Sequence, residues 1–94
     1  MPNAPAKFAL GQIVATPGAL EAMHETGEDP WSFLVRHASG DWGELDEHDR
    51  RENEHSLIHG LRLLSAYHLK DQTKIWIITE ADRSITTLLL PSEY

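Results

Sequence analysis

The stretch from Lys74 to Pro91, KIWIITEADRSITTLLLP, constrains this chain more than any other. Ile75, Trp76, Ile77 and Ile78 form an apolar, β-branched and aromatic run, and Ile85 to Leu90 form a second one that carries two threonines. The residues between them, Glu80 to Ser84, are polar and suit a turn. Two such runs about a short polar connection read as a β-hairpin. Trp76 and Ile78 alternate with Ile75 and Ile77, so both sides of the first strand are apolar. That pattern predicts a central strand, covered on both faces or by a partner chain.

The residues upstream extend this picture. Leu61 to Leu69, LRLLSAYHL, reads as a strand, and Lys70 to Thr73 as the turn into Lys74, which predicts a three-stranded antiparallel meander. Lys7 to Thr16 is a further strand candidate, with Gly11 as a bend, placed at the sheet edge. Thr16-Pro17 and Asp29-Pro30 each pair a capping side chain with a proline suited to the first helical turn, so a helix is expected after each. In the second helix Trp31, Leu34 and Val35 share a face, with Phe33 beside it. A third, highly charged helix runs from Leu45 to His59 and stops at Gly60; its apolar side is thin, and Asn53 lies toward it. The expected fold class is α+β, with about three helices packed on a small antiparallel sheet. With 94 residues, the chain suits one domain over 7–94 behind a flexible N-terminus over 1–6.

Composition narrows the function classes. There is no cysteine, so neither a disulfide nor a thiolate metal site is available. No apolar run approaches membrane-spanning length, and the first residues lack a secretory signal's apolar core, so no membrane contact and a cytoplasmic location are expected. The net charge is −7, and the imbalance is local: Asp41 to Glu54 holds seven acids against two bases. This charge disfavours broad nucleic-acid binding through a basic surface and leaves room for a compact site built on a few arginines. No cofactor motif is present. A protein partner fits this composition, and a homodimer is compatible with it.

Three stretches together, Arg36 to Gly43 (RHASGDWG), Leu64 to Tyr67 (LSAY) and Trp76 to Thr87 (WIITEADRSITT) running on to PSEY at Tyr94, resemble a family of small uncharacterised bacterial proteins labelled plasmid-related or mobile-element proteins. The resemblance spans about Phe8 to Tyr94. It implies an accessory protein of mobile DNA and transfers no catalytic residue. The architecture, helices followed by an antiparallel meander, also looks like the barnase and RelE-type ribonuclease folds, an analogy that does not fix function.

Three groups of residues bear on chemistry. His37, Arg62, Tyr67, Arg83 and Thr86 contain the parts of a metal-free phosphodiester site: a base near neutral pH, guanidinium groups for a phosphate, and hydroxyl donors. A meander brings Arg62 and Arg83 to one end of the sheet. If His37 joins them, the arginines depress its pKa, and Glu80 or Asp82 neutralises one of them. RNA would be the substrate on that reading. The alternative is structural: Arg36 and His37 complement a helix C-terminus, Asp41 bonds the turn, Trp42 covers the core, and the polar strand residues Arg62, Ser65, Tyr67, His68, Thr79, Glu80, Arg83, Thr86 and Thr87 form a solvated sheet face with cross-strand Thr and Arg–Glu pairs. His48, Glu52, His55 and His59 share one helix face and form a weak candidate for zinc, against an exposed polar stripe. Asn53 is expected to tie its helix to the Asp41-Trp42-Gly43 turn or to orient His37.

Overall fold

A computed structural model describes residues 5–94. The first four residues of the expected flexible N-terminus lie outside the described residues. The order is β1 (Gln12–Ala15), α1 (Pro17–Thr26), α2 (Pro30–Ala38), α3 (Glu47–His59), β2 (Leu63–His68), β3 (Lys74–Thr79), β4 (Ile85–Leu89) and a 3-10 turn (Pro91–Glu93). Among the described residues three α-helices and four strands make the fold α+β. No helix among the described residues is long and apolar enough to cross a membrane.

The meander forms as the sequence predicts. β2 pairs antiparallel with β3, and β3 with β4. The strand order is β1-β4-β3-β2, so β3 is interior. The sheet is mixed rather than antiparallel, because β1 runs parallel to β4, with Gln12 opposite Ile85 and Ala15 opposite Leu88. The first strand is also shorter than expected. Gly11 has φ +66°, and a Cβ there would overlap the Ser84 carbonyl oxygen. The chain therefore bends away before Gln12, and Lys7 to Leu10 are irregular backbone, with Phe8 and Leu10 half-buried and Lys7 and Ala9 exposed.

Local capping sets the helices. The Thr16 side chain accepts from the Ala19 amide, Asp29 from Trp31, and Asp46 from Asp49. Glu93 adds a long-range tie: its carboxylate accepts from the Thr16 hydroxyl, the Gly18 amide and the Leu90 amide, pinning the C-terminus to the start of α1.

The core lies between one sheet face and the first two helices. Ala19, Met23, Phe33 and Leu34 meet Tyr67, Leu69, Ile75, Ile77 and Leu88. Trp31 is not part of it and is 56% exposed. The buried stripe of α2 is Phe33, Leu34, His37 and Ala38, rotated from the apolar face expected from Trp31, Leu34 and Val35. The rotation follows from His37, whose imidazole finds polar partners inside.

α3 covers the outer edge of β2 instead of joining the other helices. Asn53 is its one buried residue. Its side-chain amide donates to the Leu64 carbonyl and accepts from the Leu64 amide, so it satisfies an edge strand instead of the turn expected from sequence. Gly43 completes this edge by bridging to Ala66, an approach possible because a Cβ there would overlap the Ala66 carbonyl oxygen.

Candidate functional site

The polar residues on the core face of the sheet form one connected chain. By strand alternation, Ser65 on β2, Thr79 on β3 and Thr86 on β4 point the same way as Ile77 and Leu88. All three are fully buried, and so is His37 on α2. His37 Nδ1 lies 2.5 Å from Ser65 Oγ, and Nε2 lies 2.8 Å from Thr79 Oγ1. Thr79 Oγ1 lies 2.7 Å from Thr86 Oγ1, which donates to the Leu10 carbonyl at 2.7 Å.

That carbonyl fixes every proton. It only accepts, so Thr86 donates to it and accepts from Thr79. Thr79 then accepts from His37 Nε2–H, which leaves Nδ1 to accept from Ser65. The imidazole is neutral with both nitrogens satisfied. Phe8 meets its ring edge-on at 5.2 Å and Trp42 at 5.9 Å. Burial pushes the His37 pKa down to about 4, and the Arg83 charge lowers it further. The sequence pointed to the arginines as the cause; desolvation is the larger one.

The five candidates for phosphodiester chemistry do not converge. His37 and Thr86 are joined through Thr79, without access to solvent. Arg83 is separated from His37 by the Phe8 ring, over which its guanidinium sits at 5.6 Å. Its nitrogens donate to four carbonyls: Leu61 at 2.6 Å, Glu80 at 3.1 Å, Ala81 at 3.3 Å and Ser56 at 3.2 Å. Arg83 is thus a clamp between the β3–β4 turn and the end of α3.

Arg62 points to the opposite side of the sheet, pairs with Glu80 at 3.1 Å and donates to the Tyr94 hydroxyl at 2.8 Å. Glu80 neutralises it as expected, while Asp82 accepts from Ser84 within the turn. The Tyr67 hydroxyl donates to the Asp41 carbonyl, and burial raises its pKa to about 12. Arg36 lies over the Tyr67 ring and pairs with Asp41, whose carboxyl it holds below the usual range. A general base must reach the proton that it takes, and here both nitrogens of His37 face hydroxyls already committed.

The helical stripe disperses as well. His48, Glu52, His55 and His59 are exposed. Only His55 and His59 meet, with ring centroids 4.2 Å apart. Among the described residues no group of three or more His, Cys, Asp or Glu is arranged to hold a metal ion. His68 faces Glu44 at 2.6 Å.

The accessible concavity on the other face of the sheet is different in kind. Arg62, Ile78, Glu80, Thr87, Leu89 and Tyr94 line most of a groove of about 230 Å³. Ile78, Thr87 and Leu89 alternate with the core residues and form its floor. Tyr94 is 73% exposed and forms a wall, its ring edge-on to Trp76 at 5.8 Å. A second hollow of about 330 Å³ lies at the α1–α2 junction, against Leu20, Met23 and His24.

The structural reading of the sequence put Ser65, Thr79 and Thr86 on a solvated sheet face; they are instead fully buried and belong to the His37 cluster. The missing signal was parity. Three hydroxyl residues fall on core-facing positions of three adjacent strands, so a polar side chain from the facing helix has to meet them. A scan against protein-family models and searches of curated proteins and of solved structures found no match to this chain.

Proposed function

We propose that this chain is a small non-catalytic interaction module, an accessory protein of the mobile-element type that its sequence resembles. Its open sheet face receives a protein segment carrying one apolar side chain flanked by basic residues. The observation behind this reading is the contrast between the two polar sites. The histidine–hydroxyl cluster is closed to substrate, whereas the groove opens to solvent above a nearly buried apolar floor of Ile78 and Leu89. Arg62 and Glu80 neutralise one another at its rim, which leaves the Glu93 carboxylate as the net charge of its lining and sets the preference for a basic partner. The ribonuclease reading has less support, because Arg62 and His37 lie on opposite faces of the sheet.

The test uses immobilised synthetic peptides with a single Leu or Phe flanked by arginines, against counterparts flanked by glutamates. Retention of the arginine set, weakened by salt and abolished by Thr87→Arg, which fills the groove, is expected. Equal retention of both sets, or retention indifferent to Thr87→Arg, overturns the proposal. RNA cleavage by the wild-type chain that disappears in Arg62→Ala would replace it with the enzyme reading.

A further inference from the structure

The two edges of the sheet are treated unequally. At β2, Asn53 bonds both backbone groups of Leu64, the Glu44 amide donates to the Ala66 carbonyl, and the Ala66 amide donates to Trp42. At β1 the phase of pairing is set by two bonds to β4, from the Gln12 amide to Ser84 and from the Thr16 amide to Leu88. Gln12, Val14 and Thr16 therefore turn their backbone groups inward. Ile13 and Ala15 turn theirs outward, where those groups have no partner among the described residues. β1 carries no charge, proline or bulge, the usual guards of an edge strand. The chain approaches it from elsewhere: the Lys7 amide bonds the Ala38 carbonyl at the end of α2, and Phe8 stacks on Trp42 beside β2.

We infer that β1 is a self-pairing edge, and that its occupant is β1 of a second copy of this chain, antiparallel across a twofold axis at Val14. In this register Ile13 of one copy faces Ala15 of the other. Each such pair exchanges two hydrogen bonds, which uses all four outward groups on both strands. Val14 faces its own counterpart at the axis as a pair without backbone hydrogen bonds, the arrangement that brings side chains closest.

Two further observations select a second copy. Val14 and Ile85, each 37% exposed, are apolar and lie on the same open face, so pairing continues an existing apolar strip across the axis. The acidic segment Asp41 to Glu54 covers β2, the opposite edge. Pairing at β1 therefore puts the two acidic segments at the far ends of an eight-stranded sheet, where their repulsion is weakest. Pairing at any other edge would bring them together.

Sedimentation of the whole chain against concentration tests this. The expected result is a reversible shift from 10.6 kDa to twice that mass. Val14→Lys and Val14→Glu should each sediment as single chains at every concentration while keeping the wild-type circular dichroism. An equimolar mixture of the two should recover the doubled mass, because unlike charges then meet at the axis. Ala15→Pro, which removes one outward amide and leaves the bonds to β4 intact, should also weaken pairing. Arg62→Ala, at the end of the groove beside β2 and farthest from β1, should leave it unchanged, which separates this edge from the proposed partner site. A wild-type chain that stays at single-chain mass up to its solubility limit overturns the inference. So does a folded Val14→Lys variant of doubled mass, or a mixture of the charged variants that fails to pair.

Discussion

Ile77 and Ile78 are neighbours on β3 with opposite surroundings. Ile77 is fully buried against α1 and α2, on the side where His37 links three strands through hydroxyl groups. Ile78 is 5% exposed on the other side, at the floor of a groove walled by Tyr94 and the C-terminal 3-10 turn, with no α-helix packed over it among the described residues. Equal hydrophobicity thus does different work. On one face it stabilises a sealed interior in which even the polar groups are paired. On the other it is shielded almost as fully, but by neighbouring strand residues and the C-terminal turn, and it floors a groove that stays open. The face with the most recognisable chemistry is structural, and the plainer one is accessible.

Substitutions can break this contrast, beginning with the largest effect. Ile77→Ala should cost about 2–4 kcal/mol and lower Tm by roughly 10 °C or more; an unchanged thermal melt would mean that the helix-facing side is not the main core. The next concerns His37. Its folded pKa of about 4 lies below the ordinary value of 6.5, so the unfolded chain binds the proton more readily. Stability from the neutral imidazole is fully present above pH 6.5 and is lost as pH falls toward 4, in total about 3 kcal/mol. Denaturant unfolding across that window should show the decline in the wild type and a flatter profile in His37→Phe. That variant should itself lose about 2 kcal/mol at neutral pH by stranding the Ser65 hydroxyl.

On the open face, Ile78→Ala should cost only about 1–2 kcal/mol, since water can enter the enlarged groove. A loss matching that of Ile77→Ala would show that this face is as closed as the other. Smallest is Arg62→Ala, whose exposed pair with Glu80 is worth less than about 1 kcal/mol by chemical denaturation.

Much of this architecture was legible because it is local. Apolar, β-branched and aromatic runs bounded by polar turns marked the strands from Leu61 onward, and cap residues at Thr16 and Asp29 with prolines behind them marked two helices. What was not legible depends on distant partners. The parallel pairing of β1 with β4 joins residues more than seventy positions apart. The rotation of α2 could not be read from its wheel, since Trp31, Leu34 and Val35 are as apolar as the stripe actually buried. Only the hydroxyls of Ser65 and Thr79 make the His37 side the better one to bury. The arginines misled for a related reason: a guanidinium suits a phosphate, but five N–H donors equally suit a cluster of carbonyls, which is where Arg83 goes.

The two bonds between Asn53 and Leu64 tie a backbone amide in the sheet to a helix that buries almost nothing of its own. α3 is held by that side chain, by the Trp42 indole donating to Glu54, and by Arg83 reaching the Ser56 carbonyl. When α3 lifts away as a unit, the sheet keeps its strands but loses the cover of one edge. The solvent exposure time of the Leu64 amide is therefore set by the helix and not by the sheet around it, so local opening divides the molecule along a line that its secondary structure does not draw.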